Sequence, residues 1–288
     1  MKCLACNHNE FLITWDNPIR KSSVSFTKKK EKVFQCENCQ LTFLEKKRKL
    51  LEDSATARKI YNRNNSIKEF FRFHSKRETK KFLKILKYVS LNNKNVLELN
   101  CGAGVILSIL RKKSKSTCGV DSLIYKDFLV SNGHQYYQNV QELKNNKKKY
   151  DIIFSLSELE HKYDPLQHLH ILKKILSKKG RLIIRVPNFF NIYSILLEKY
   201  FYKYDYRTSH NFYFSKKNLD LIFKKANFKI EKVFGYHEYD LNHLLYYFKT
   251  KKRVEKRYPI LFDKKDNDFF VANVEKSFFS TSLIYILK

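Results

Sequence analysis

Four cysteines near the start of the chain have the type and spacing of metal ligands. Cys3 and Cys6 form one Cys-x-x-Cys pair, and Cys36 and Cys39 form a second. Each pair can form a tight turn that directs two thiolates at one ion, and two such turns complete the tetrahedral S4 site that zinc prefers. So small a segment buries little apolar surface, so the metal would supply much of its stability. We therefore predict a structural zinc module over residues 1–45.

A second group of residues has the chemistry of a nucleoside site. Glu98 lies in a short apolar strand, which runs into a turn containing Asn100, Gly102 and Gly104. Small residues in such a turn let the backbone approach a ligand closely. Asp121 ends the following strand, where a carboxylate can accept hydrogen bonds from both hydroxyls of a ribose. The pattern predicts a nucleoside-containing ligand at the carboxyl ends of two neighbouring strands.

Two classes of ligand use this arrangement, dinucleotides and S-adenosylmethionine (SAM). A dinucleotide site normally has a G-x-G-x-x-G turn, with the start of a helix facing the pyrophosphate. Here only Gly102 and Gly104 are present, and the carboxylate of Glu98 would repel a pyrophosphate. The same carboxylate suits a ligand with a sulfonium and an amino group. The residues therefore favour SAM over a dinucleotide.

The chain as a whole carries an ordered set of motifs that resembles the class I SAM-dependent methyltransferases. The set covers about residues 95–235. Its members are Val96–Gly104 for E/D-x-G-x-G-x-G, Tyr150–Pro165 for FDxI…LEH…DP, Gly180–Asn188 for GGxLxIxxPN, and His210–Phe228 for the H…FS…L…aGF tail. The leading cysteine pairs resemble the N-terminal zinc-binding segment of a bacterial subset of this family.

The resemblance implies a Rossmann-like α/β fold with a seven-stranded sheet and helices on both faces. Its last strand would be antiparallel and inserted next to the edge, and the segment Ser277–Leu287 fits that strand. The alternation of strands and helices from residue 95 onward independently indicates a mostly parallel sheet. We predict three regions: a zinc-ribbon-like module over 1–45, a helical linker or cap over 46–93, and a methyltransferase domain over 94–288.

The resemblance also assigns cofactor contacts. Asp121 would bind the ribose, the backbone near Asn139 would meet the adenine, and Leu156 would lie by the methionine part. Asn100 stands where the family usually has a glycine, but Asn tolerates a positive φ better than other non-glycine residues, so we expect the turn to form. The contacts expected in the turn and the strands beside it are Glu98, Asn100, Gly102, Gly104 and Asp121.

Histidines are the candidates for work on the methyl acceptor. Positioning does most of the work in methyl transfer, and an oxygen acceptor is helped by a general base such as histidine. His161 follows the fourth strand and His210 begins the tail motif, so both are predicted catalytic residues, with His237 as a third candidate. His168 and His170 are expected on the surface of a helix.

The formal net charge of +30 allows two interpretations of function. Lys and Arg drive binding to phosphates, yet the abundance of Lys, Asn, Ile, Phe and Tyr also matches an A/T-rich coding bias. Our leading hypothesis is methyl transfer to a small molecule, in particular a sugar hydroxyl of a glycan precursor, with the aromatic segment Tyr200–Tyr213 as a stacking surface. The alternative is an RNA methyltransferase, or a nucleic-acid-binding zinc protein with a degenerate SAM fold.

The sequence also predicts the compartment. No segment approaches the roughly 20 apolar residues of a membrane span, and the first residues lack the apolar run of a signal peptide. We therefore expect a cytoplasmic protein whose thiols are reduced, which favours metal ligation over disulfides.

Overall fold

A computed structural model describes residues 1–22, 25–48, 66–145, 148–252 and 258–288. The strands are β1 (Phe11–Asn17), β2 (Glu31–Cys36), β3 (Thr42–Leu44), β4 (Asn95–Leu99), β5 (Ser116–Val120), β6 (Gln135–Tyr137), β7 (Tyr150–Leu156), β8 (Leu176–Pro187), β9 (Phe212–Tyr213), β10 (Ile230–Tyr236) and β11 (Ser282–Leu287). The helices are α1 (Ile67–Leu86), α2 (Val105–Arg111), α3 (Lys126–Ser131), α4 (Val140–Asn145), α5 (Pro165–Ile175), α6 (Ile192–Leu197), α7 (Lys199–Asp205), α8 (Lys216–Lys225), α9 (Leu241–Thr250) and α10 (Lys264–Lys276). None of the helices within these residues has the length and apolar character needed to cross a membrane.

Seven strands form the large sheet in the order β10-β11-β8-β7-β4-β5-β6. β4 pairs in parallel with both β5 and β7, and β5 pairs in parallel with β6. β4 is buried along nearly its whole length, as expected for a strand with parallel neighbours on both sides. The final strand β11 lies second from the edge, between β10 and β8, where the sequence predicts an inserted strand. The predicted Rossmann-like α/β fold is confirmed.

The chain divides into two compact units. The first unit consists of Met1–Lys49, Leu159–Leu166 and Arg185–Tyr285, and the second consists of Leu50–Glu158, Gln167–Ile184 and Ile286–Lys288. The region boundaries predicted from the sequence, at 45 and 93, stay predictions. Residues 49–65 of the predicted helical linker lie outside the described residues.

The N-terminal segment of the first unit shares a sheet with the tail motif. Antiparallel β1, β2 and β3 are joined by β9, with Thr42 opposite Tyr213 and Phe43 opposite Phe212. Beneath this sheet lies a core cluster of Ile19, Val33, Leu44, Phe189, Tyr206 and Tyr213. The cysteine segment therefore has a core that it builds jointly with residues from the C-terminal half.

This core corrects the interpretation of the aromatic segment Tyr200–Tyr213. Tyr206 and Tyr213 are buried, and their rings meet at 5.0 Å between centroids, while Tyr200 is partly exposed. The stacking-surface interpretation is wrong for Tyr206, Phe212 and Tyr213, because these three rings are buried and do not face solvent.

Candidate functional site

The turn after β4 combines three backbone positions in the left-handed region. The φ angles are 54° at Asn100, 55° at Gly102 and 76° at Gly104. Among non-glycine residues Asn adopts this conformation most readily, so the substitution of Asn for the usual glycine preserves the turn. Gly104 also has no room for a side chain, since a Cβ there would come within 2.6 Å of Leu129. The result is a tight, small-residue loop between β4 and α2.

Asp121 ties this loop to the end of β5. The backbone N–H of Gly102 donates to Asp121 Oδ2 at 2.6 Å, and that of Ser122 donates to Oδ1 at 2.5 Å. The tyrosine hydroxyl of Tyr136 donates to the Asp121 carbonyl at 2.8 Å. Asp121 is only 5% exposed. Its carboxylate thus fixes the conformation of the loop, a role that the sequence did not predict beside the expected contact with a ribose.

Glu98 is held close to the same loop by strand register. It lies in β4 opposite Gly119 of β5, and it is buried. A Cβ at Gly119 would lie 2.6 Å from Cys101 Sγ and 2.8 Å from Leu107 Cδ1. Gly119 therefore makes the space in which the loop residue Cys101 packs. Gly119 is the only glycine of β5, and its position inside a strand is the sequence signal for this positioning role.

Leu156 and Asn139, the two weaker cofactor assignments, have different surroundings. Leu156 is the buried last residue of β7, and the residue before it, Ser155, lies opposite Leu99 of β4. Asn139 uses its side chain at the start of α4: its Oδ1 accepts from the Glu142 N–H at 3.1 Å, and its amide donates to Glu142 Oε1 at 3.0 Å. The predicted adenine contact through the Asn139 backbone stays a prediction.

A buried polar network at the end of β7 was not predicted. Ser155 Oγ donates to Glu158 Oε2 at 2.6 Å, and His168 Nε2 lies 3.2 Å from the same oxygen. The prediction that His168 lies on the surface is wrong, because its ring is buried in this pair. His170 is exposed, as expected. Ser155, Glu158 and His168 follow one another at spacings of three and ten residues. This spacing is not a recognisable motif, whereas a glycine-rich turn is.

The first unit brings both predicted catalytic histidines together. The rings of His161 and His210 meet edge to face, with centroids 4.9 Å apart and an interplanar angle of 72°. His161 Nδ1 faces the Ser209 carbonyl, and since a carbonyl only accepts, Nδ1 carries a proton; in the neutral ring Nε2 then has the lone pair. That Nε2 lies 3.9 Å from Glu160 Oε1.

The environment of His210 keeps its ring neutral. Burial lowers the pKa of His210 well below 6.5, and the positive charges of Arg207 and Arg20 and the neighbouring His161 lower it further. The third candidate, His237, is buried elsewhere in the same unit, where its ring stacks on Tyr193. The described geometry therefore groups His161 with His210 and leaves His237 apart.

Comparison with known proteins bears on this arrangement. Residues 70–233, more than half of the chain, match the family described as a methyltransferase domain. The chain belongs to this family. The matched part of the methyltransferase domain runs from within α1 into β10, and it includes the β4–α2 loop, Asp121 and both catalytic candidates.

Curated relatives match about a third of this chain, over part of their own length. The ubiquinone biosynthesis O-methyltransferase of Haemophilus ducreyi is 27% identical over 111 residues, which cover 34% of this chain and 47% of the relative. The tRNA U34 carboxymethyltransferase of Campylobacter fetus is 30% identical over 113 residues, covering 36% of this chain and 40% of the relative. The chain thus spans less than half the length of these relatives.

A solved structure extends the likeness to the fold. A SAM-dependent methyltransferase from Archaeoglobus fulgidus superimposes on this chain with a TM-score of 0.52, at 16% identity. The superposition covers 76% of this chain and 99% of the other. The fold is therefore that of a SAM-dependent methyltransferase.

The cysteine cluster beside the methyltransferase fold has the dimensions of a zinc site. Cys3 Sγ and Cys39 Sγ are 3.5 Å apart, as are Cys6 Sγ and Cys36 Sγ, and all four sulfurs lie within 4.8 Å of one another. Tetrahedral zinc–sulfur bonds of about 2.3 Å separate the sulfurs by about 3.8 Å. The four thiols therefore fit zinc with little rearrangement.

The two Cys-x-x-Cys turns have the same backbone form. Asn7 and Gln40, which directly follow the pairs, have φ angles of 64° and 61°. Their N–H groups donate to the carbonyls of Cys3 and Cys36, at 2.9 and 2.8 Å. The Cys3–Cys39 hydrogen bond lowers the pKa of the Cys3 thiol to about 5 and raises that of the Cys39 thiol, so Cys3 is the member of this pair that becomes a thiolate first.

Proposed function

We propose that this chain is a SAM-dependent methyltransferase that binds SAM at the β4–α2 loop and Asp121 of the second unit. The observation that carries the proposal is the pair of hydrogen bonds from the Gly102 and Ser122 backbone to the Asp121 carboxylate. These bonds hold a buried acid against a loop of left-handed residues at the carboxyl ends of two parallel strands. That is the position at which open α/β sheets bind nucleosides.

The choice of SAM over a dinucleotide is supported by Glu98. Its carboxylate is buried in β4, directly before the loop. A negative charge at this point opposes a pyrophosphate and complements the sulfonium and the amino group of SAM. Glu98, Asn100, Gly102, Gly104 and Asp121 are the proposed SAM-binding residues, with Asn139 and Leu156 at the adenine and methionine ends.

We propose a hydroxyl-bearing small molecule as the methyl acceptor, with His161 and His210 acting on it. One relative is named as an O-methyltransferase, which is the same reaction class. A sugar hydroxyl of a glycan precursor is one member of the proposed acceptor class. The buried packing of Tyr206 and Tyr213 removes part of the aromatic surface that had favoured it.

An RNA acceptor is the second candidate. The net charge of +30 favours binding to phosphates, and another relative is named as a tRNA carboxymethyltransferase. Binding driven by this charge would weaken steeply with salt, whereas binding of a small neutral acceptor would not.

We also propose that Cys3, Cys6, Cys36 and Cys39 hold a structural zinc ion. The four sulfur ligands fill a tetrahedral site, so this ion would stabilise the β1–β3 segment without offering a coordination position to a substrate.

A binding and transfer experiment tests the proposed function. Purified chain is titrated with labelled SAM, with NAD⁺ in excess as competitor, and SAM should bind and NAD⁺ should not displace it. Methyl transfer is then measured by mass spectrometry with phenolic compounds, nucleotide sugars and total tRNA, each at two salt concentrations. A folded, zinc-loaded chain that does not bind SAM would overturn the proposal. Methyl transfer to tRNA, with none to the phenolic compounds or nucleotide sugars, would establish the second candidate.

A further inference from the structure

Three side chains of the first unit direct metal-binding atoms at one another. Glu160, His161 and His210 each offer one ligand atom, and these atoms all lie within 4.8 Å of one another. They belong to two separate segments, the 3-10 turn Leu159–His161 and the residue pair that leads into β9. We propose that Glu160, His161 and His210 bind a divalent transition-metal ion, distinct from the zinc of the four cysteines.

The first argument is the orientation of His161. Its Nδ1 donates to the Ser209 carbonyl, so in the neutral ring its Nε2 presents a lone pair to a metal ion. Metal-binding histidines characteristically donate their second ring nitrogen to a carbonyl in this way, which fixes both the tautomer and the ring plane. The lone pair of Nε2 and the carboxylate oxygen Oε1 of Glu160 are 3.9 Å apart.

The distance between the ligand atoms also fits a metal ion. Metal bonds of about 2.1 Å to imidazole nitrogen and carboxylate oxygen, at tetrahedral angles, separate the ligand atoms by about 3.4 Å. The 3.9 Å between His161 Nε2 and Glu160 Oε1 exceeds this by about half an ångström. Small side-chain rotations would close the difference.

The third argument is the support beneath the site. The Asn211 backbone N–H donates to the Glu160 carbonyl at 2.9 Å, and the Asn211 amide donates to the His161 carbonyl at 2.9 Å. Because Asn211 directly follows His210, this one residue joins the two segments of the site. The ligand backbones are therefore positioned by the protein itself, which lowers the cost of ordering them on metal binding.

The charges around the site set its strength. Glu160 supplies one negative charge, while Arg207 and Arg20 act on His210 with positive charge. Arg207 is paired with Asp205 at 3.1 Å, which offsets part of that charge. We therefore expect affinity well below that of the four-thiolate site.

The donor set indicates which ions fit. Two imidazoles and one carboxylate suit Zn²⁺, Mn²⁺, Fe²⁺ or Co²⁺, and lack the sulfur that would select Cu⁺. Three protein ligands leave at least one coordination position open to water or to an oxygen atom of a small molecule. A metal ion here would give His161 and His210 a role in binding the methyl acceptor, and only that consequence rests on the proposed function. Metal binding itself does not require methyl transfer.

The test uses Mn²⁺ as the probe because thiolate sites bind this ion weakly, so the four cysteines should not contribute to the measured binding. The zinc-loaded chain is titrated with Mn²⁺ and free Mn²⁺ is counted by electron paramagnetic resonance. The wild type should bind one equivalent. His210→Gln and Glu160→Gln should bind at least tenfold more weakly, since even indirect changes at metal sites cost about 10–100-fold. His161→Gln serves as a more exposed third variant in case a buried replacement impairs folding.

The control is His243→Gln, which removes another buried histidine of the same unit, one whose Nδ1 lies 2.8 Å from the Tyr193 hydroxyl. It should bind Mn²⁺ like the wild type. Zinc content and SAM binding are measured on every variant, so a lost metal site is distinguishable from a failed SAM site. The inference is overturned if the wild type binds no Mn²⁺ and only one Zn²⁺, which would make Glu160 and His161 a simple ion pair. It is equally overturned if binding survives in both His161→Gln and His210→Gln.

Discussion

Replacing Asp121 with asparagine tests the loop and the cofactor proposal in one variant. Both carboxylate oxygens accept a backbone N–H, from Gly102 and from Ser122. Asparagine keeps one oxygen and replaces the other with an amide that only donates, so one buried N–H group loses its acceptor. A hydrogen bond to a buried charged group contributes about 1.5–3 kcal/mol. We expect the free energy of unfolding to fall by about 2–3 kcal/mol, which lowers Tm by about 5–10 °C for a chain of this size.

The effect on SAM binding should be larger in relative terms. A ribose bound by the Asp121 carboxylate would lose the charge that strengthens its hydrogen bonds, about 3 kcal/mol for two bonds. This corresponds to a Kd for SAM about 100-fold higher. Calorimetric titration with SAM and thermal unfolding should be run on the wild type, Asp121→Asn and the matched control Asp127→Asn, whose side chain is exposed on α3. A folded Asp121→Asn that binds SAM within threefold of the wild type would refute the cofactor assignment, and an unchanged Tm would refute the role in the loop.

Three further perturbations follow from the described contacts. Gly119→Ala should lower the free energy of unfolding by about 1–3 kcal/mol by crowding Cys101, and adding Cys101→Ala should restore at least half of the loss in urea titrations. Burial and Arg111 lower the pKa of His134 from 6.5 to about 4, so the unfolded chain takes up this proton first as pH falls. The contribution of neutral His134 to the free energy of unfolding is therefore fully present above pH 6.5 and is lost as pH falls toward 4. The free energy of unfolding should fall by about 2 kcal/mol between pH 7 and 5, and His134→Gln should abolish this contribution. Cys36→Ser should release zinc, measured by mass spectrometry, and lower Tm, whereas zinc retained at full stoichiometry would contradict the four-sulfur site.

The structural features that the sequence predicts correctly depend on residues that lie close together along the chain. The strand β4, the left-handed Asn100 and the acid at the end of β5 follow from an apolar run, turn chemistry and strand order, each within about 30 residues. The cysteine cluster was predictable for a related reason, because Cys-x-x-Cys turns carry their geometry in their spacing. These features need no knowledge of distant pairing.

The features that were missed depend on distant pairing or on a local backbone exception. β9 has two residues and pairs with β3 far along the chain, which no periodicity reveals. The burial of His168 depends on Glu158, ten residues away across a turn. α6 and α7 are separated by a break at Glu198, where φ is 41°, and no glycine or proline marks this position in the sequence.

The pairing of β3 with β9 has a consequence for the growing polypeptide. About 170 residues separate the end of β3 from the start of β9. A ribosome working at about 5–20 residues per second therefore needs about 10–30 s to synthesise β9, the fourth strand of this sheet. Throughout that interval the first three strands lack Tyr206 and Tyr213, two of the largest members of their core. An ion captured early by the four thiols would hold the nascent segment in register, and translation under zinc starvation would expose it to chaperones and proteases for the whole of this delay.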